Sequence, residues 1–225
     1  MGPSATVTVS IKTVFGDEPF IAGDLYDYPS EGRVEIEGLA LFLSDISLVS
    51  ANGTDEVALD EIAHLNVSTI QYDVNSANKG WVQSYYKVPV GDYNGVKFGL
   101  GVAYEDNLQN PEHFSTGSPL GNDAHYSNEY ESYIFEDIGG RYCLPDDTTA
   151  FTIKIVKDKM FAQVDLNKSF TVGASSNEIE ITFDLKKVFG QNDSILNLAD
   201  YPVVTSPLLP QMNWLVKNFQ HSFSF

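Results

Sequence analysis

The chain has 225 residues, 43% of them hydrophobic, with 14 Phe and 12 Tyr, which is enough apolar material to bury a sizeable core. Its formal net charge of −18 excludes a nucleic-acid binder, because phosphates need a basic face. No apolar run approaches the roughly 18 residues of a membrane span, and the single cysteine, Cys143, excludes an intrachain disulfide.

Met1-Gly2-Pro3-Ser4 reads as a cloning remnant ahead of a mature domain, so that an export signal would have been removed. Ala5 to Val14 is rich in β-branched residues, with Val7, Val9 and Ile11 on one face, and is the first predicted strand. Leu25 to Tyr28 is short and extended, between turns at Gly16–Pro19 and Pro29–Gly32. Arg33 to Val49 is the strongest strand signal. Val34 and Ile36 alternate with Glu35 and Glu37, Gly38 interrupts as an expected bulge, and Leu39, Leu41 and Leu43 then share one face with Phe42 on the other. Such a strand belongs at the centre of a sheet. Asn52-Gly53 predicts a hairpin turn into a strand at Val57 to Leu59. The pattern then weakens, with local strand signals at His64 to Val67 and Thr69 to Val74. Trp81 to Val90 and Val96 to Val102 are further strands.

Residues 104–132 follow, rich in Asn, Ser, Gly, Pro and acids. Structureless loops this long are uncommon and are usually functional or disordered. This one holds His113 and His125, two of the four histidines, and Glu105, Asp106, Asn107, Glu129 and Glu131. Tyr133 to Phe135 returns as strand. A turn-rich stretch from Gly139-Gly140 to Pro145-Asp146 precedes strands at Ala150 to Val156, Ala162 to Leu166 and Glu178 to Phe183. Leu185 to Phe189 and Ile195 to Leu198 read as short helices. Met212, Leu215, Val216, Phe219 and Phe223 recur at helical spacing, so Gln211 to Ser222 is expected as an amphipathic helix with His221 on its exposed side. The sum is an all-β chain: one antiparallel, immunoglobulin-like β-sandwich spanning 5–225 with a short C-terminal helix.

The motifs of common enzyme chemistry are missing: no G-x-S-x-G elbow, Walker loop, G-x-G-x-x-G fingerprint or H-E-x-x-H helix occurs. The expectation is therefore a non-enzymatic protein. Two functional readings use the long loop. In the first, His113 and His125 supply imidazole nitrogens to a metal such as Cu(II). Glu105, Asp106, Asn107, Glu129 and Glu131 would complete that shell, or would form a calcium site of their own. In the second, the loop is a cell-surface adhesion module that recognises a glycan or protein through Phe114, Tyr126 and Tyr130.

Several segments together resemble the MbnP-like (MbnP/MopE-type) copper-binding domain family. The first strand with Phe15-Gly16, then Tyr26, then Glu31-Gly32-Arg33-Val34, is similar to the family's opening. Leu41 to Leu48 (LFLSDISL) resembles its "YYLSNIKL" strand. Val88-Pro89-Val90-Gly91-Asp92-Tyr93 followed by Phe98-Gly99-Leu100-Gly101-Val102 and Asn107 resembles its "V-P-A-G-x-Y … F-x-x-G-V" block. Tyr133-Ile134-Phe135 and Asn218-Phe219 match later motifs. The resemblance spans nearly the whole chain. It implies an exported bacterial β-sandwich, periplasmic, outer-membrane-anchored as a lipoprotein, or extracellular. It further implies copper held by histidines near an oxidised tryptophan (kynurenine), and a di-haem peroxidase-type partner. The sequence departs from the family at two places. Ser118-Pro119-Leu120 stands for "H-P-L", and in the family's "M-Y-W-x-W" segment His125 stands where the family carries methionine and Ser127 and Glu129 where it carries tryptophans. No kynurenine is expected there, and Trp81 and Trp214 read as packing residues.

Overall fold

A computed structural model describes residues 2–191 and 194–225. Nine long strands carry the architecture: β1 (Ser4–Phe15), β2 (Arg33–Ser50), β3 (Glu56–Asn66), β4 (Trp81–Pro89), β5 (Gly91–Leu100), β6 (Ser132–Leu144), β7 (Asp147–Val156), β8 (Ala162–Val172) and β9 (Asn177–Asp184). They form two sheets. The smaller runs Phe223–Ser224, β9, β1 and Glu18–Pro19, with β4 also paired to β1. The larger runs β8-β5-β2-β6-β7 and Val203–Val204, with β3 and Leu25–Asp27 on the other edge of β2. Most pairs are antiparallel. The β1–β9 pair and the contact of β7 with Val203–Val204 are parallel, so each sheet is mixed. The β-sandwich predicted from the strand pattern is the observed fold.

The core is the filling between the sheets. From β1 it takes Val7, Val9 and Ile11, and from β2 it takes Leu39, Leu41 and Leu43. β2 is central, as its pattern predicted. Two irregularities keep its apolar face inward over its whole length: the pairing with β6 slips between Ile36 and Gly38, where the bulge was expected. A second slip lies between Ser44 and Ser47, around Asp45, whose φ of 51° is unusual for a non-glycine residue. The α1 helix (Pro210–Gln220) buries Met212, Leu215 and Phe219, three of the five positions its spacing selected; Val216 is half-buried, Phe223 lies beyond the helix in the short strand Phe223–Ser224, and His221 is exposed.

Three sequence expectations are corrected. Thr69 to Val74 is not a strand but the junction of two helical turns, Val67–Ile70 and Val74–Lys79. Asp73 and Ser76 form a capping box there. The buried Gln71 side chain meanwhile accepts from Thr13 N and donates to the carbonyls of Thr13 and Phe20, tying the junction to β1. β6 does not stop at Gly139-Gly140 but continues to Leu144. The glycine permits close strand approach: a Cβ on Gly140 would collide with the Glu35 carbonyl of β2. Ile195 to Leu198 is no helix. Ser194–Ile195 instead pairs with Gly190–Gln191 as a small hairpin.

Candidate metal centre

The long connection between β5 and β6 is ordered by short turns: a helical turn at Tyr104–Asn107 and 3-10 turns at Pro111–His113, Pro119–Gly121 and Asp123–His125. It lies over the outer face of β2, so that Phe42, pointing away from the sandwich interior, is nonetheless fully buried. Two side chains pin it. Asn107 is buried; its Nδ2 donates to Asp158 Oδ1 at 2.6 Å, and its Oδ1 accepts from Tyr133 N at 2.8 Å and Ser132 Oγ at 3.2 Å. Tyr133, buried at the loop's far end, donates its hydroxyl to the Leu120 carbonyl at 2.7 Å. Burial pushes that phenol well above its ordinary range. Asn107 is thus a fastener joining both ends of the loop. Asn107→Ala should leave the Tyr133 N–H buried without an acceptor and destabilise the fold by about 1–3 kcal/mol, as read by chemical denaturation.

The same packing brings together two histidines. His64, on β3, sits directly opposite Phe42 of β2, and its ring lies 4.6 Å from the Phe42 ring. His125 closes the Asp123–His125 turn, which Asn122 caps by accepting from Ala124 N. The His125 ring stacks on His64 with centroids 3.9 Å apart and planes inclined by 29°, and stands edge-on to Phe42 at 5.5 Å. His125 Nδ1 lies 2.8 Å from the Pro119 carbonyl, to which it donates. That leaves the Nε2 lone pair free to accept from Asn122 Nδ2 at 3.3 Å. A carbonyl behind the remote ring nitrogen is the usual support for a metal-ligating imidazole. Burial, and next the neighbouring His125, hold His64 down at about 4, so it is neutral at physiological pH. Both rings line an open hollow of about 490 Å³, where the β3 edge of the larger sheet meets the β4 edge of the smaller. Asp60, Trp81, Gln83, Ser118 and Asn122 contribute to its walls.

His113 is not part of this pair. It is exposed, bonds Asn110 through Nδ1 at 2.8 Å, and lines a separate hollow with Tyr126, Glu131, Lys157 and Asp158. The buried Leu120 turn lies between the two histidines in the chain. The loop acids also disperse. Asp106 lies beside Asp45, Glu61 and Glu105, and burial followed by those carboxylates raises its pKa. Glu129 is exposed, and Glu131, at φ 46°, faces the His113 hollow. Among the described residues no three His, Cys, Asp or Glu side chains gather as a metal-holding group. Phe114 and Tyr126 pack edge-on against Tyr133 at 6.2 and 5.1 Å, which makes them part of the core's outer layer. Tyr130 lines an apolar groove with Pro207 and Leu208. Sequence reasoning missed His64, which sits in the weakly patterned β3, and took Trp81 for packing alone, although it lines the histidine hollow.

The architecture defines a class: a mixed β-sandwich whose longest loop folds a histidine onto another histidine of an edge strand. The model of the MbnP family matches residues 4–206, and the chain belongs to that family. Among solved structures it is similar to MbnP from Methylosinus trichosporium, with a TM-score of 0.58 and 14% identity over 90% of this chain and 81% of that one. At that identity the likeness concerns the fold. No curated protein matches the sequence.

Proposed function

We propose that this protein is an exported, non-enzymatic copper-binding protein whose metal is held by His64 and His125. The stacked pair carries the reading. Two imidazoles stack against each other along one open hollow, one kept neutral by burial and the other set by the Pro119 carbonyl, with its Nε2 toward Asn122, which a metal would displace. This donor set fits copper, which favours imidazole nitrogen and tops the divalent affinity series. When bound, copper would supply one-electron redox chemistry, while the chain's own residues orient the rings and screen one side of the site with Phe42. With two protein donors the site is weak and open, suited to exchange rather than to storage.

The chain's net charge of −18 suits a protein that collects cations. The family supports a periplasmic, outer-membrane-anchored or extracellular place, and an electron-transfer partner of the di-haem peroxidase type. The test is a competition titration of Cu(II) against chelators of graded strength. His64→Ala and His125→Ala should each weaken binding at least about tenfold, the scale of losing one ligand or its support, while His113→Ala should leave it unchanged. Retention of copper against a strong chelator, or loss of binding in His113→Ala alone, would refute the assignment.

A further inference from the structure

The groove beside Tyr130 has no part in the histidine pair. Tyr130, Lys157, Lys159, Ser206, Pro207 and Leu208 line about 510 Å³ of it, within the range of about 300–1,000 Å³ typical of small-molecule sites. Both walls are anchored. On one side, residues 205–209 are strung between Val203–Val204, paired to β7, and the first turn of α1. Leu209 N donates to the Ser206 carbonyl at 3.1 Å, Pro207 is buried, and Leu208 stands 83% exposed, an apolar side chain that nothing covers. On the other side, Lys157 N donates to the buried Ser132 Oγ at 2.8 Å, and the 3-10 turn Asp158–Met160 sets Met160 into the core. Lys157 has φ 80° and ψ 141°, a backbone shape that glycine adopts at least cost. The chain thus keeps a long cationic side chain where the backbone alone would favour none. Among the described residues neither Lys157 nor Lys159 forms an ion pair. Asp158, between them, is engaged by Asn107 Nδ2. In a chain with 31 acidic and 13 basic residues, two unpaired lysines beside an apolar floor reverse the charge locally.

We propose that this groove binds a small amphiphilic carboxylate, a medium-chain fatty acid. Its hydrocarbon chain lies against Tyr130, Pro207 and Leu208 and removes the Leu208 side chain from water. Its carboxylate is met by the Lys157 and Lys159 ammonium groups in charge-assisted hydrogen bonds, while the aliphatic stems of both lysines extend the apolar wall. The same lysines repel a cationic amphiphile, and a small anion without a hydrocarbon body leaves the apolar floor unused. None of these residues lines the hollow of His64 and His125, so the proposal stands apart from the copper reading.

The experiment titrates the intact chain, without added metal, with octanoate, octanol or octylammonium, each below its micelle-forming concentration, and follows the backbone amides by NMR. Octanoate should bind saturably, with the largest shifts at Tyr130, Lys159 and Leu208. Octanol, with the same chain and no charge, should bind about tenfold more weakly, the scale of one charge-assisted hydrogen bond, and octylammonium more weakly still. In the double variant Lys157→Gln, Lys159→Gln the preference for octanoate over octanol should vanish, and because the preference is a ratio within one protein, a general folding defect cannot imitate its loss. Leu208→Ser, a change at an exposed side chain, should weaken octanoate and octanol alike. Octanoate that fails to saturate or shifts amides elsewhere, octylammonium that binds as tightly, or an octanoate preference that survives the double variant would each overturn the proposal.

Discussion

Glu136→Gln should stabilise the protein at neutral pH, with a gain that disappears as the pH falls toward 4. Glu136 lies on β6, opposite Leu41 of β2 and Ile155 of β7. It is completely buried, its Oε2 has no hydrogen-bond partner, and burial raises its pKa well above the ordinary 4.5. The native state therefore keeps a proton that the unfolded chain releases. Stability is fully present below the unfolded pKa and is lost as pH rises from there toward the folded value, with a slope of about 1.4 kcal/mol per pH unit. Two pH units within that window make the glutamine variant more stable by on the order of 3 kcal/mol. Urea denaturation of both proteins between pH 4 and 8 reads the difference directly. Parallel pH profiles would mean that Glu136 ionises in the folded protein with a partner that this packing does not supply.

Phe42→Ala should be the most damaging single truncation near the site, costing about 3–5 kcal/mol. The ring is fully buried. It touches His64, His125 and Tyr133 at centroid distances of 4.6, 5.5 and 6.0 Å. Its removal leaves a cavity beneath both histidines and under the Tyr133 ring that holds the loop. Stability and copper affinity should therefore fall together. Phe42→Leu, which retains most of the volume, should recover most of both. A Phe42→Ala protein with unaltered melting and unaltered copper affinity would show that the loop does not depend on this ring.

The fold was legible in the sequence wherever period-2 alternation was unbroken. β1 and β2 carry it clearly, and the Gly38 interruption marked a bulge. Signals failed where a local feature had a tertiary purpose. Gly139-Gly140 looks like a turn, yet the strand continues there because β2 passes so close. Thr69 to Val74 has strand-like residues, but Asp73 and Ser76 cap a helix and Gln71 satisfies the β1 backbone. Half of the candidate site could be read, because His125 lies in a loop too long to be a mere connection. Its partner could not. His64 and His125 are distant in sequence, and they meet only because β3 pairs with β2 while the loop folds back over Phe42. His113 looked equivalent by composition, but nothing in a linear reading shows that the Pro119–Gly121 turn sends the two loop histidines to different hollows.

The central claim is that His64 and His125 together hold the metal, and electron paramagnetic resonance of the protein with one equivalent of Cu(II) tests it most directly. Pulsed spectra resolve the remote nitrogen of each coordinated imidazole. Two such nitrogens are expected in the parent protein and in His113→Ala, and one in either His64→Ala or His125→Ala. A two-imidazole signal that persists in His64→Ala would contradict the account.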